Sequence, residues 1–73
     1  MAEIRNIVAN CLKLPTGELA DNAALGMTPG WDSFAQLNVM MELERLYGIE
    51  ITDQTIRTYS NLAAIDRLAQ ERG

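Results

Sequence analysis

Histidine is absent from this chain and cysteine occurs once. These two absences remove Ser-His-Asp and Cys-His catalytic arrangements, an internal disulfide and a Cys/His zinc site, so no metal is expected. No apolar run approaches the length of a membrane span, and nothing resembles a signal peptide. The expectation is a reduced, cytoplasmic setting without membrane insertion. The two prolines and five glycines form no Gly-rich phosphate loop. A length of 73 residues allows one small domain, 1–73, with little from which to enclose an active site. An independent enzyme is not expected.

Positive charge is also scarce, with 6 bases against 10 acids and a net charge of −4. Nucleic acid and anionic membranes both need a positive field, so neither is an expected partner. An acidic surface suits protein partners with basic docking patches. The plainer reading is that it keeps a small domain in solution.

What the chain does contain is helical periodicity. Ile4, Ile7, Val8, Cys11 and Leu12 follow the i, i+3, i+4, i+7, i+8 template. Glu3, Arg5, Asn6, Asn10 and Lys13 fall on the other faces. Pro15 disfavours helical geometry at Leu14, so this first helix should end about there. Cys11 lies within the apolar stripe, which favours a buried structural role over a reactive thiol.

Residues 15–32 read as a long connection with turn signals at Pro15-Thr16-Gly17, Asp21-Asn22, Gly26 and Pro29-Gly30. Connections beyond about 12–15 residues are uncommon in compact domains and often functional. Leu19, Leu25 and Met27 are expected to pin it to the core, and Trp31 to anchor its end. A second helix should span 33–47, stopped by Gly48 as a left-handed cap. A last helix should span roughly 61–71, capped by Ser60 or Asn61, with Leu62, Ile65, Leu68 and Ala69 as its stripe. Between them, local propensity allows a hairpin turning at Asp53-Gln54. An isolated hairpin is marginal, so the preferred reading is an extended loop and one short helical turn over 53–58.

The second helix has two apolar faces. At roughly 100° per residue, Val39, Leu43, Leu46 and Tyr47 share one side. Phe34, Leu37 and Met41 lie on the order of 170° away, with Met40 between the groups. The second stripe either stays exposed as a docking surface rimmed by Asn38, Glu44 and Arg45, or packs under the 15–32 loop. At the start of the helix, Ser33 with Gln36 reads as a capping box. Its hydroxyl would be exposed, beside free N–H groups and the positive end of the dipole, a setting that favours a phosphate on that oxygen. Most Asp-Ser pairs before helices are only caps.

The run Gly30-Trp31-Asp32-Ser33-Phe34-Ala35-Gln36-Leu37-Asn38 resembles the Asp-Ser-Leu attachment motif of the acyl carrier protein family, which includes aminoacyl and peptidyl carriers. Met41-Glu42-Leu43-Glu44-Arg45-Leu46-Tyr47-Gly48-Ile49-Glu50-Ile51 is similar to the continuation of that family's second helix. The likeness covers nearly the whole chain. It implies an all-α, four-helix carrier-protein bundle: three longer helices, one short third helix, and a long loop between the first two. It further implies that Ser33 carries a covalent 4′-phosphopantetheine arm, taken from coenzyme A by a phosphopantetheinyl transferase, with Asp32 aiding recognition. The arm would hold an acyl or aminoacyl group as a thioester. Its partners would be a loading ligase and a downstream transferase or synthase.

By the same resemblance, Phe34, Leu37, Met41 and Glu44 would meet partners, while Ile51 and Ile56 would border the arm and its cargo. Phe34 stands where leucine is usual, as in some carriers outside fatty acid synthesis, D-alanyl carriers among them. Asn38 and Arg45 stand where acids are common. Both departures imply a carrier of a dedicated biosynthetic pathway rather than the housekeeping fatty acid carrier; the length favours a free-standing member, and a monomer is expected. The rival reading is an unmodified helical interaction domain docking through Phe34, Leu37 and Met41. A helix-turn-helix nucleic-acid binder ranks last, for want of basic residues.

Overall fold

The computed structural model describes residues 2–72, and side chains from Ile4 onward. The outward placement expected for Glu3 therefore lies outside the described residues, as do both ends of the expected 1–73 domain. The described chain is all-helical: α1 (Ala2–Leu12), a 3-10 turn (Thr16–Glu18), α2 (Ser33–Tyr47), α3 (Asp53–Thr58) and α4 (Leu62–Arg72). This is the expected bundle, with three longer helices, a short third one and a long first loop.

α1 buries Ile4, Val8, Ala9 and Leu12, while Ile7 and Cys11 are half-buried against the same core. Cys11 is thus only partly enclosed, and burial, followed by the nearby Glu42 carboxylate, raises its thiol pKa. The helix ends at Leu12, two residues before the expected stop. Lys13 turns left-handed at φ 59°. Its N–H donates to the Asn10 carbonyl at 3.1 Å, and that of Leu14 donates to the Ala9 carbonyl at 2.9 Å. These two bonds make a Schellman motif. The restriction that Pro15 places on Leu14 forces the reversal onto Lys13, although a non-glycine there costs roughly 1–2 kcal/mol.

The 13–32 connection is tied down at several points. Leu19 and Ala23 are buried, and Leu25 packs at the edge of the core. Ala24 bridges Asn61; the Leu25 N–H donates to the Ser60 carbonyl at 2.8 Å, and the Leu62 N–H to the Ala23 carbonyl at 2.9 Å. The Arg5 guanidinium reaches Asp21 at 2.6 Å and Asp66 at 3.2 Å, linking α1, the loop and α4. The hydrogen bond from Arg5 to Asp21 raises the arginine's pKa. Trp31 is buried as an anchor, but Met27, expected as a pin, is 79% exposed. A loop has no periodicity to say which way a side chain points, and Met27 sits on the outside of the 24–31 turn.

Gly30 has φ +85°, and a Cβ there would come within 2.8 Å of the Leu12 carbonyl oxygen. Only glycine lets this turn lie against the end of α1. The loop is thereby held where it must deliver Asp32 to the start of α2.

α3 forms as the expected short turn, and the hairpin alternative does not occur. Thr52 caps it, its side chain accepting from the Thr55 N–H at 3.1 Å, while Thr55 Oγ1 accepts from the Thr52 N–H at 2.8 Å. α4 is capped by Asn61, whose Oδ1 accepts from the Ala64 N–H at 2.8 Å. Leu62, Ile65, Leu68 and Ala69 are buried, matching the expected stripe.

Candidate functional site

The site begins at the entry to α2. Asp32 has extended backbone geometry and its side chain accepts from the Ala35 N–H at 2.9 Å, so Asp32 is the N-cap. Ser33 is the first helical residue. This corrects the expected Ser33–Gln36 capping box: the better-placed carboxylate of Asp32 takes the cap, and Gln36 turns inward. Ser33 is exposed, and its hydroxyl has no hydrogen-bond partner among the described residues. The N–H groups of Ser33 and Phe34, at the positive end of the helix dipole, also donate to no described acceptor. The chain's other serine differs: Ser60 is half-buried and donates to the Arg57 carbonyl at 2.8 Å.

Gln36 is 1% exposed. Its Oε1 accepts from the Trp31 indole Nε1–H at 2.7 Å. Its Nε2 donates to the carbonyls of Ile56 at 2.9 Å and Tyr59 at 3.0 Å. The α3 half of this network is not legible from local patterning, because the Ile56 and Tyr59 carbonyls lie 20 and 23 residues away.

The remaining α2 residues divide cleanly. Ala35, Val39, Met40 and Leu43 join the core. Leu46, expected with Val39 and Leu43, is 38% exposed; the wheel gives a direction but not how far the neighbouring elements extend to cover it. Phe34, Leu37 and Met41 are 74%, 47% and 55% exposed, so the loop does not cover them. Glu44 is exposed too, while Ile51 and Ile56 are half-buried against the core beside α3. Arg45 is paired with Glu42 at 2.6 Å, which mutes the positive charge on that rim. Met41 also borders an open groove of about 490 Å³ between α1 and α2, lined in part by Ile7, Cys11 and Asn38. Among the described residues there is no cluster of acids, cysteines or histidines that could hold a metal, and no helix long and apolar enough to cross a membrane.

An exposed serine opening a capped helix, an apolar strip beside it and a four-helix bundle behind it are consistent with the helical bundle of a small carrier protein. The particular family follows from sequence: the model for the phosphopantetheine attachment site matches residues 2–68, and the chain belongs to that family. A comparison with curated proteins gives no match. Members of this family bear covalent 4′-phosphopantetheine, act in general as carriers rather than catalysts, and interact with phosphopantetheinyl transferases and biosynthetic enzymes.

Proposed function

We propose that Ser33 is the attachment point of the arm and that the chain, as a single 1–73 domain, carries an acyl or aminoacyl group for a dedicated biosynthetic pathway. The observation that carries this reading is the contrast between the two serines. Ser33 Oγ is exposed and unengaged on the first turn of α2, whereas Ser60 Oγ is spent on the Arg57 carbonyl. A phosphate on Ser33 would meet the unused N–H groups and the positive helix end, so the residues present fit the group.

When attached, the arm supplies a terminal thiol that holds the cargo as a thioester. The chain's own part is presentation. Asp32 holds the first turn in shape and offers its carboxylate to the transferase. Ser33 Oγ gives up its proton as the arm is transferred to it from coenzyme A, with adenosine 3′,5′-bisphosphate as the leaving group. Phe34, Leu37 and Met41 with Glu44 form the surface that a loading ligase and a downstream transferase or synthase grip. Ile51 and Ile56 border the arm. The chain itself catalyses no step, works as a monomer, and acts in the cytoplasm, where coenzyme A is at hand.

The test is an intact mass measurement after incubating apo protein with coenzyme A and a promiscuous phosphopantetheinyl transferase. One arm should be gained by the wild type and by Ser60→Ala, and none by Ser33→Ala. No gain in the wild type would sink the carrier reading, and a gain that survives Ser33→Ala would sink the site.

A further inference from the structure

A glutamine amide has one acceptor oxygen and two N–H donors. In Gln36 all of them are spent, and on two separate segments: the Trp31 indole just before Ser33, and the Ile56 and Tyr59 carbonyls of α3 and its C-cap. Those two carbonyls belong to the end of a helix, where intrahelical donors run out. Gln36 therefore caps α3 from another helix. The need is physical, because α3 has only six residues, too few to sustain a helix without outside support. Its N-terminus is held by the Thr52–Thr55 box and its C-terminus by Gln36.

We propose that Gln36 is a positioning residue for loading of the arm. Its single amide couples α3 to the corner that presents Ser33. Trp31 lies two residues before Ser33 and Gln36 three after it, so both sides of the serine are fixed to the same buried group. A displacement of α3 must break the bonds from Nε2, and it thereby loosens the indole and the first turn of α2. This inference rests on Ser33 being the attachment point for its functional half, but not for its coupling half.

The chain's one tryptophan makes its indole N–H an unambiguous reporter by NMR. In the apo protein, Thr52→Ala removes the α3 cap and touches neither Gln36 nor Trp31. It should speed indole N–H exchange by about tenfold, the loss of roughly one well-placed hydrogen bond. Asn61→Ala, which removes the α4 cap, controls for general loss of stability and should change that exchange less. In a Gln36→Met background, Thr52→Ala should add nothing. Equal effects of Thr52→Ala and Asn61→Ala overturn the coupling, and this comparison stands even where Gln36→Met fails to fold.

The second measurement is loading kinetics for Gln36→Met at a temperature where circular dichroism shows it folded. The expected result is a lower kcat with KM for the carrier unchanged, because the docking strip is intact while Ser33 is held less well. Unchanged kcat, or a rise in KM alone, overturns the positioning role. Were Ser33 not the attachment point, loading would persist in Ser33→Ala, whereas the indole coupling, which needs no arm, would still read.

Discussion

Along α2, Val39, Met40 and Leu43 are buried in the bundle, whereas Phe34, Leu37 and Met41, interleaved with them in one helix, stand exposed. Hydropathy does not separate the two sets; each contains methionine and a large apolar side chain. What separates them is reach. A chain of this size buries a limited share of its surface, and the other helices and the loop cover one side of α2 only. The inner face gains its free energy within the fold. The outer face leaves that energy ungained, and it lies on the same helix that Ser33 opens. An uncovered apolar strip so close to the proposed modification site is what a protein handled by several enzymes needs.

The sharpest way to break this contrast is truncation on each face. Leu43→Ala should cost about 2–5 kcal/mol, because it removes transfer energy and leaves a cavity. Met41→Ala should stay within about 0.5 kcal/mol. Urea denaturation followed by circular dichroism reads both. Comparable losses would mean that the faces do not differ and that the strip is core.

Next in size is Asp32, at the point where both faces begin. Asp32→Ala should lose about 1 kcal/mol with the N-cap, while Asp32→Asn should lose little, since asparagine caps as well as aspartate. Arm loading then separates shape from charge. Slow loading in both variants assigns the carboxylate to recognition by the transferase; slow loading in Asp32→Ala alone leaves it a cap.

Much of this architecture was legible in local pattern. The α1 stripe, the span of α2 with its Gly48 stop and the α4 stripe follow from periodicity and capping residues, the short α3 turn follows from the marginal stability of an isolated hairpin, and the structure has them all. The failures have two causes. Ser33 and Gln36 have capping-box spacing, yet Asp32 one residue earlier is the cap, and Gln36 answers to Trp31 and α3 instead. Helical periodicity puts Leu46 on the side of Val39 and Leu43, and hydrophobicity points Met27 inward, yet both are exposed. The α3 partners of Gln36, and the cover that Leu46 and Met27 lack, belong to distant segments, where spacing rules carry no information, whereas the cap is local and falls one residue earlier than its spacing suggests. The exposure of Ser33 at the start of α2 is legible because its setting, a short side chain opening a helix after a Pro-Gly turn, is local.

The smallest expected change in stability carries the largest functional consequence. Leu37 is half-exposed at mid-helix, and glutamate is a good helix former, so Leu37→Glu should shift the urea midpoint by no more than about 0.5 kcal/mol equivalent. The same change puts a charge in the middle of the strip between Phe34 and Met41. A partner that buries this strip must then desolvate a carboxylate, and a central contact of that kind is worth roughly 2 kcal/mol or more, about thirtyfold in affinity. The time course of arm loading by intact mass should slow through KM, with kcat preserved. That split is the inverse of the one expected for Gln36→Met: the strip governs how tightly the carrier is held, and the buried amide governs how Ser33 is presented once it is. A collapse of stability in Leu37→Glu would instead return the outer face to the core.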